Sequence, residues 1–201
     1  MKKVMFNGKE IIPCKIVCVG RNYVEHIKEL NNEIPEDIVL FIKPNSSISD
    51  KIFKPERKFR YEGEISFIIQ NGKIAGVGFG IDLTLVEEQE KAKRKGLPWE
   101  KAKAFDKSAV FSEFVPVQDT EGLEMELYIN GSLKQKGDTS LMIFKVNQII
   151  KKIQEYFSLE DGDIIMTGTP KGVGEFEKGD IFRGIIKKDG KTLIDKIWIV
   201  E

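Results

Sequence analysis

The chain has little of what usually identifies a cofactor or metal centre. Among its 201 residues are one histidine and two cysteines, Cys14 and Cys18. A separation of four residues in a strand spans about 13 Å, which is too long for a disulfide. Two cysteines without further cysteine or histidine nearby are also a poor zinc site. We therefore expect both cysteines to be small buried residues.

The chain also lacks a net charge and a long apolar run. Lys+Arg and Asp+Glu number 32 each. Because nucleic acids and anionic membranes need a basic surface, we expect neither as a partner, whereas a small anionic substrate needs only local positive charge. No apolar run reaches membrane-spanning length, and the start MKKVMFNGKEIIPC has no continuous apolar segment typical of a signal peptide. These features predict a cytoplasmic protein.

Turn residues between apolar runs predict a chain built mainly of strands. Three Asn-Gly or Asp-Gly pairs stand between strand-like segments, at residues 71–72, 130–131 and 189–190. Such pairs are typical of two-residue hairpin turns, because a type I′ turn needs positive φ at both positions. Helical spacing or composition predicts helices only over residues 22–30, 85–95 and 142–157. We expect one α+β domain over residues 1–201, mainly β, whose N-terminal strands (about residues 1–50) cap the core.

The segment YEGEISFII, residues 61–69, carries two glutamates on one face of a predicted strand. Glu62 and Glu64 lie about 7 Å apart, so they repel each other unless water or a cation separates them. The next strand ends in GVGFGIDLT and brings Asp82 near the same sheet. Three carboxylates on rigid elements suit a hard cation such as Mg²⁺. Taken alone, however, the pattern is more often the solvated face of a half-buried strand.

Two further segments have the residue types that a catalytic site needs. His26 has Glu29 three positions later, so in a helix the carboxylate would orient the imidazole as a general base. A lone histidine is more often an ordinary surface or packing residue. The segment GDIIMTGTPKGVG does not match a phosphate-binding loop, because Lys171 precedes Gly172 instead of following it. It is either a tight glycine turn or a cradle for a ligand carboxylate or carbonyl.

Together these stretches resemble the fumarylacetoacetate hydrolase family. The resemblance runs from about residue 18 to 180, through VGRNYVEHIKE, LFIKP, YEGEI, GIDLT, KGLPWEKAKAFD, NGSLKQKGDTSLMIF and LEDGDIIMTGTPKGVG. The order and spacing match, and KGLPW and TGTPKGVG are most similar to the acylpyruvase branch. The resemblance implies a mixed β-sandwich roll with a few short helices, and a homodimer.

The resemblance also implies roles for particular residues. It implies Mg²⁺ as the cofactor, with Mn²⁺ or Ca²⁺ as alternatives, and a small keto acid as the substrate. The implied metal ligands are Glu62, Glu64 and Asp82; the implied catalytic residues are His26, Glu29 and Lys103; the implied substrate-binding residues are Arg21, Lys43, Gln89 and Thr169.

One departure concerns the motif D-x-T-A-R-D-x-Q that the family often carries after its metal aspartate. Here Val86 stands in place of the arginine and Glu87 in place of the second aspartate.

The main function that the resemblance implies is Mg²⁺-dependent hydrolysis of a C–C bond in 2,4-diketo acids through a pyruvate enolate. The alternative is an oxaloacetate-type decarboxylase, or a hydroxymuconate-type isomerase or decarboxylase, since these pass through a related enolate. A third possibility is a non-catalytic protein that binds a metal or a keto acid. Such a protein needs no general base, so the presence of His26, Glu29 and Lys103 disfavours it.

Overall fold

The computed structural model describes residues 1–30 and 33–201. Four α-helices are present in this part of the chain: α1 (Val24–Glu29), α2 (Val86–Lys95), α3 (Glu100–Lys103) and α4 (Val146–Gln154). The strands are β1 (Val4–Phe6), β2 (Lys9–Ile11), β3 (Lys15–Gly20), β4 (Val39–Pro44), β5 (Ile48–Ser49), β6 (Phe59–Gln70), β7 (Lys73–Leu85), β8 (Ala109–Phe111), β9 (Val115–Pro116), β10 (Leu123–Ile129), β11 (Ser132–Asp138), β12 (Ile164–Met166), β13 (Ile181–Lys188) and β14 (Lys191–Ile199). The fold is thus α+β and mainly β, as the sequence predicts.

Two sheets pack face to face around the main apolar core. The larger sheet has the order β4-β3-β12-β6-β7-β8-β5, with β9 also paired to β7, and the smaller has the order β11-β10-β13-β14. The long hairpin of β6 and β7 faces the smaller sheet with Ile65, Phe67 and Phe79, which contribute to one core cluster with Leu127 and Trp198. The opposite face of this hairpin carries the acidic residues, so the fold encloses them within the protein.

The three predicted hairpins are confirmed. Each turn joins paired strands, with Gln70 opposite Lys73, Ile129 opposite Ser132, and Lys188 opposite Lys191. Both residues of each turn have positive φ, as a type I′ turn requires.

The three predicted helices are present but shorter than predicted, and the four-residue helix α3 lies outside the predicted ranges. Helix α2 ends where Gly96 adopts a left-handed conformation, as its sequence predicts. Helix α4 begins at Val146 and not at Met142, because the backbone at Ile143 and Phe144 donates hydrogen bonds to Asn22. These long-range bonds hold the segment before α4 in a non-helical conformation that local periodicity cannot reveal.

The two cysteines differ in environment. Both are free thiols, in agreement with the predicted absence of a disulfide, and Cys18 is buried in β3. Cys14 is exposed, so its predicted burial is wrong; it precedes β3 and does not take part in the strand. In the described ranges no helix is long and apolar enough to span a bilayer.

Candidate active site

The register of the β6–β7 hairpin brings the predicted metal ligands together. Glu62 pairs with Asp82, and Glu64 pairs with Gly80 one step along the same face. One carboxylate oxygen from each of the three acids lies within 4.8 Å of the others. Glu62, Glu64 and Asp82 are only 6%, 2% and 1% exposed. The face that a strand pattern alone would assign to solvent is therefore buried.

Two lysines balance part of this buried negative charge. Lys103, at the end of α3, donates hydrogen bonds from Nζ to Glu62 Oε2 at 2.7 Å, Asp82 Oδ2 at 2.9 Å and Thr84 Oγ1 at 2.7 Å. Lys43 lies behind Asp82, with its Nζ 2.9 Å from Asp82 Oδ1. It also donates to Ser108 Oγ at 3.0 Å. Lys43 is fully buried and does not line the cavity, so the structure places it behind an acidic ligand and not against a substrate.

The buried charges shift one another's protonation. Burial opposes ionisation of Glu62, but Lys103 and Arg60 outweigh it and lower the pKa of Glu62 to about 2. Burial and then the adjacent Asp82 raise the pKa of Glu64 well above its usual value. Burial also opposes the charged form of Lys103, but Asp82 and Glu62 raise its pKa, so this ammonium stays protonated. Of the two glutamates, Glu64 has the less compensated carboxylate.

The acidic cluster fits a divalent cation. All its donors are carboxylate oxygens, the ligand type that hard cations prefer. Glu64 is buried and, unlike Glu62 and Asp82, forms no ion pair with a residue in the ranges 1–30 and 33–201, so its carboxylate is the least compensated of the three. A buried carboxylate of this kind is costly unless a cation compensates it. Glu62, Glu64 and Asp82 would hold the ion.

The predicted histidine–glutamate pair forms on α1. His26 Nδ1 lies 3.2 Å from Glu29 Oε2, and His26 is buried at the cavity. The backbone N–H of Gly172 donates to both oxygens of Glu29, at 3.0 and 3.2 Å. Burial lowers the pKa of His26, against the opposing charges of Glu62 and Glu29. The imidazole is thus neutral near pH 7, as a general base must be.

The TGTPKGVG loop supports both parts of the site through its backbone. Gly168 donates its N–H to Glu64 Oε2 at 2.7 Å, and Gly172 supports Glu29 as described. Both glycines have strongly positive φ. A Cβ at Gly172 would lie 1.9 Å from the carbonyl oxygen of Lys134, so only glycine fits there. The loop is thus a tight glycine turn whose N–H groups hold the carboxylates of Glu64 and Glu29. A cradle for a ligand carboxylate or carbonyl, the other interpretation of the sequence, stays a prediction.

The remaining predicted residues, Arg21, Gln89 and Thr169, line a cavity. This cavity of about 50 Å³ is lined by Arg21, His26, Gln89, Lys103 and Thr169, together with the three acids. Phe41 and Trp99 form an apolar part of its wall.

Four residues contribute to the site without having been assigned a role from the sequence. Gln135 accepts a hydrogen bond from the Gly63 N–H at 2.9 Å and donates one to Thr169 Oγ1 at 2.7 Å. It is the last residue of the motif NGSLKQ, but no sequence pattern indicates its role. Asn22 joins the start of α1 to the Thr167 carbonyl at 2.8 Å. Arg60 and Lys93 line the cavity mouth. Arg60 could have been found from the i, i+2 spacing to Glu62, whereas Lys93 is hidden in a run of surface lysines.

Comparisons with known proteins identify the family. The profile described as "Fumarylacetoacetate (FAA) hydrolase C-terminal" matches residues 15–193. The chain belongs to this family of enzymes. It is 37% identical over 203 residues to oxaloacetate tautomerase YcgM of Escherichia coli, covering 91% of this chain and 92% of that protein.

Two solved structures support the same assignment. A protein of Oleispira antarctica, a candidate fumarylacetoacetate isomerase/hydrolase, superposes with a TM-score of 0.95 at 37% identity and full coverage of both chains. Fumarylpyruvate hydrolase of Pseudomonas aeruginosa, solved with Mn²⁺ and pyruvate, superposes with a TM-score of 0.88 at 26% identity. The superposition covers 99% of this chain and 95% of that one. The fold expected from the resemblance is confirmed.

Proposed function

We propose that this protein is a divalent-cation-dependent enzyme that interconverts the keto and enol forms of oxaloacetate or a closely similar 2-keto diacid. The similarity to an oxaloacetate tautomerase over nine-tenths of the chain carries this proposal. It favours the alternative reading of the sequence, the oxaloacetate-type enzyme, over the hydrolase of 2,4-diketo acids.

His26 would carry the proton in this reaction. Its Nδ1 faces Glu29, so Nδ1 holds the N–H and Nε2 is the free base. Nε2 takes a proton from C3 of the keto acid, and the C3–H electron pair forms the C2–C3 double bond. Return of a proton to the C2 oxygen gives the enol, and the reverse sequence gives the ketone. No bond between heavy atoms breaks, so no attacking water is needed.

Lys103 would stabilise the negative charge that develops on the C2 oxygen. Lys103 stays protonated because of Asp82 and Glu62, and its three N–H donors are taken by Glu62, Asp82 and Thr84, so it acts by its charge and not as a proton donor. A divalent cation held by Glu62, Glu64 and Asp82 would supply Lewis-acid stabilisation and a template for the keto acid's carboxylate. We propose Mg²⁺ for this role, with Mn²⁺ or Ca²⁺ as alternatives that metal titration distinguishes.

The test follows the ultraviolet absorbance of freshly dissolved enol-oxaloacetate in a weakly catalytic buffer. We expect the protein with Mg²⁺ to accelerate the decay of the enol, and we expect EDTA or Glu64→Gln to abolish that acceleration. Pyruvate release is measured in parallel, and acetylpyruvate is the matched diketo acid. Decay no faster than in buffer, with metal-dependent cleavage of acetylpyruvate, would replace the tautomerase by the hydrolase.

The homodimer implied by the resemblance stays a prediction. Light scattering of the purified protein measures its mass in solution, and a mass close to twice that of the 22.9 kDa chain would support it.

A further inference from the structure

The mouth of the cavity carries three basic side chains from three different elements. Arg21 follows β3, Arg60 lies on β6 and Lys93 lies on α2, and all three line the cavity. Arg21 and Lys93 form neither an ion pair nor a side-chain hydrogen bond with any residue in the ranges 1–30 and 33–201. Burial and the like charges of Arg21 and Arg60 lower the pKa of Lys93. Positive charge is therefore concentrated here, and a bound anion would relieve the repulsion.

Arg60 is held in place by the site itself. Its Nε donates to Glu62 Oε1 at 3.1 Å, and its Nη2 donates to Gln89 Oε1 at 2.7 Å. The guanidinium has five N–H donors, so these bonds fix its plane and still leave the donors on Nη1 for a ligand. In the part of the chain that the structure describes, no residue accepts a hydrogen bond from Nη1.

Arg60 also lies beside the helix that Val86 begins. Arg60 pairs with Thr84, one step along the same strand face from the Glu62–Asp82 pair. It contacts Gln89 on α2, the helix that Val86 begins. Arg60 therefore places a positive charge next to the helix at whose start the family motif often carries an arginine.

The charge of the whole site favours a ligand with two negative charges. Three cations accompany the three acids: Lys43, Lys103 and Arg60 form ion pairs with Asp82 and Glu62. A bound divalent cation would leave the site with excess positive charge, to which Arg21 and Lys93 add at the mouth. A dianionic ligand balances this charge better than a monoanion.

We propose that Arg60 and Lys93, together with Arg21, bind the far carboxylate of a dicarboxylic 2-keto acid and so select diacids over monoacids. This inference rests on the proposed function for the reaction, but the binding site can be tested apart from it. Arg60 and Lys93 act in specificity; Arg60 does so from beside Glu62, where its Nη2 lies 3.1 Å from Oε1 of that residue.

The binding test compares L-malate with L-lactate, which share a 2-hydroxy acid and differ by the far carboxylate. Calorimetry with Mg²⁺ present should show that the protein binds malate at least about ten-fold more tightly, the size expected for one charge-assisted hydrogen bond. Lys93→Gln should reduce this preference several-fold. Lys95→Gln removes the same charge from α2 at a position that does not line the cavity, and it should keep the full preference. Equal binding of malate and lactate, or equal effects of the two variants, would overturn the proposal.

The kinetic test uses oxaloacetate and its 4-methyl ester, which keeps the keto-acid end and loses the far charge. Arg60→Gln should raise the KM for oxaloacetate about ten-fold and leave the KM for the ester nearly unchanged. Arg60→Lys should restore part of the loss. Because Arg60 touches Glu62, Mg²⁺ affinity is measured in each variant. A rise in KM for both substrates that follows weaker Mg²⁺ binding would reduce Arg60 to a support for Glu62.

The two proposals fail in different ways. If oxaloacetate is not converted but malate is still preferred over lactate through Lys93, the diacid site stands and the tautomerase is wrong. If the enol is converted and malate has no advantage, the tautomerase stands and the diacid site is wrong.

Discussion

The two faces of β6 are almost equally buried but contain opposite chemistry. Ile65 and Phe67 face the smaller sheet with no exposed surface, whereas Glu62 and Glu64 on the other face are 6% and 2% exposed. The apolar face gains free energy by burial, and the acidic face loses it unless a partner compensates. Lys103, Arg60 and the Gly168 N–H provide part of that compensation. Burial alone therefore does not distinguish the apolar core from the candidate active site. A cluster of buried side chains of like charge does.

The largest effect should come from the base on α1. His26→Ala should lower kcat for tautomerisation about 10²- to 10⁴-fold, because general acid–base catalysis contributes that range. Folding should be nearly unaffected, as judged by thermal unfolding. Lys28→Ala, an exposed change on the same helix, is the control and should keep full activity. An active His26→Ala protein would assign the proton transfer to another group.

The two faces of β6 should respond to substitution in opposite ways. Phe67→Ala should lower the free energy of unfolding by about 3–5 kcal/mol, because it opens a cavity in a close-packed core. Glu64→Gln in EDTA should be neutral or stabilising, because it removes a poorly compensated buried carboxylate. Urea unfolding measures both changes. Equal destabilisation by the two substitutions would show that the acidic face is part of the structural core.

Metal should stabilise the acidic face selectively. Mg²⁺ at 100 times its dissociation constant should raise the free energy of unfolding by about 2.7 kcal/mol, and so the Tm. Glu64→Gln should lose most of this gain, whereas Glu121→Gln, an exposed acid outside the cluster, should retain it. The same Mg²⁺ response in both variants would place the ion elsewhere.

The smallest effect concerns the pH dependence of catalysis. A base must be neutral to act, and burial lowers the pKa of His26 below its ordinary value of 6.5. The acid limb of kcat/KM should therefore lie below pH 6.5, with activity falling as the pH drops through the pKa of the folded protein. A pH–rate profile measures it. A limb above pH 6.5 would mean that the charges of Glu62 and Glu29 outweigh burial.

Local patterns predicted the elements better than they predicted the interactions between them. The hairpin turns and the end of α2 depend on a few neighbouring residues, such as Asn71 and Gly96, whose conformations are nearly independent of the rest of the chain. The start of α4 depends on Asn22, more than a hundred residues earlier, so its periodicity predicted too long a helix.

Local sequence patterns also predicted the candidate site only in part, because its residues come together through contacts between strands and helices. Alternation along β6 placed Glu62 and Glu64 on one face, but only the strand pairing shows that Asp82 lies opposite Glu62. Sequence spacing could not distinguish Lys103 from Lys101 and Lys107; the resemblance to the family singled it out. It also placed Lys43 among the substrate-binding residues, whereas the structure buries it behind Asp82.

Proton exchange at C3 tests the central claim most directly. Oxaloacetate is dissolved in D₂O, and NMR follows its C3 protons and the formation of pyruvate with and without the protein and Mg²⁺. We predict that the protein with Mg²⁺ accelerates deuterium incorporation at C3 above the buffer rate, faster than pyruvate forms, and that His26→Ala removes the acceleration. Exchange at the buffer rate in the presence of Mg²⁺ would contradict the proposal that the buried carboxylates and His26 form a keto-acid tautomerase.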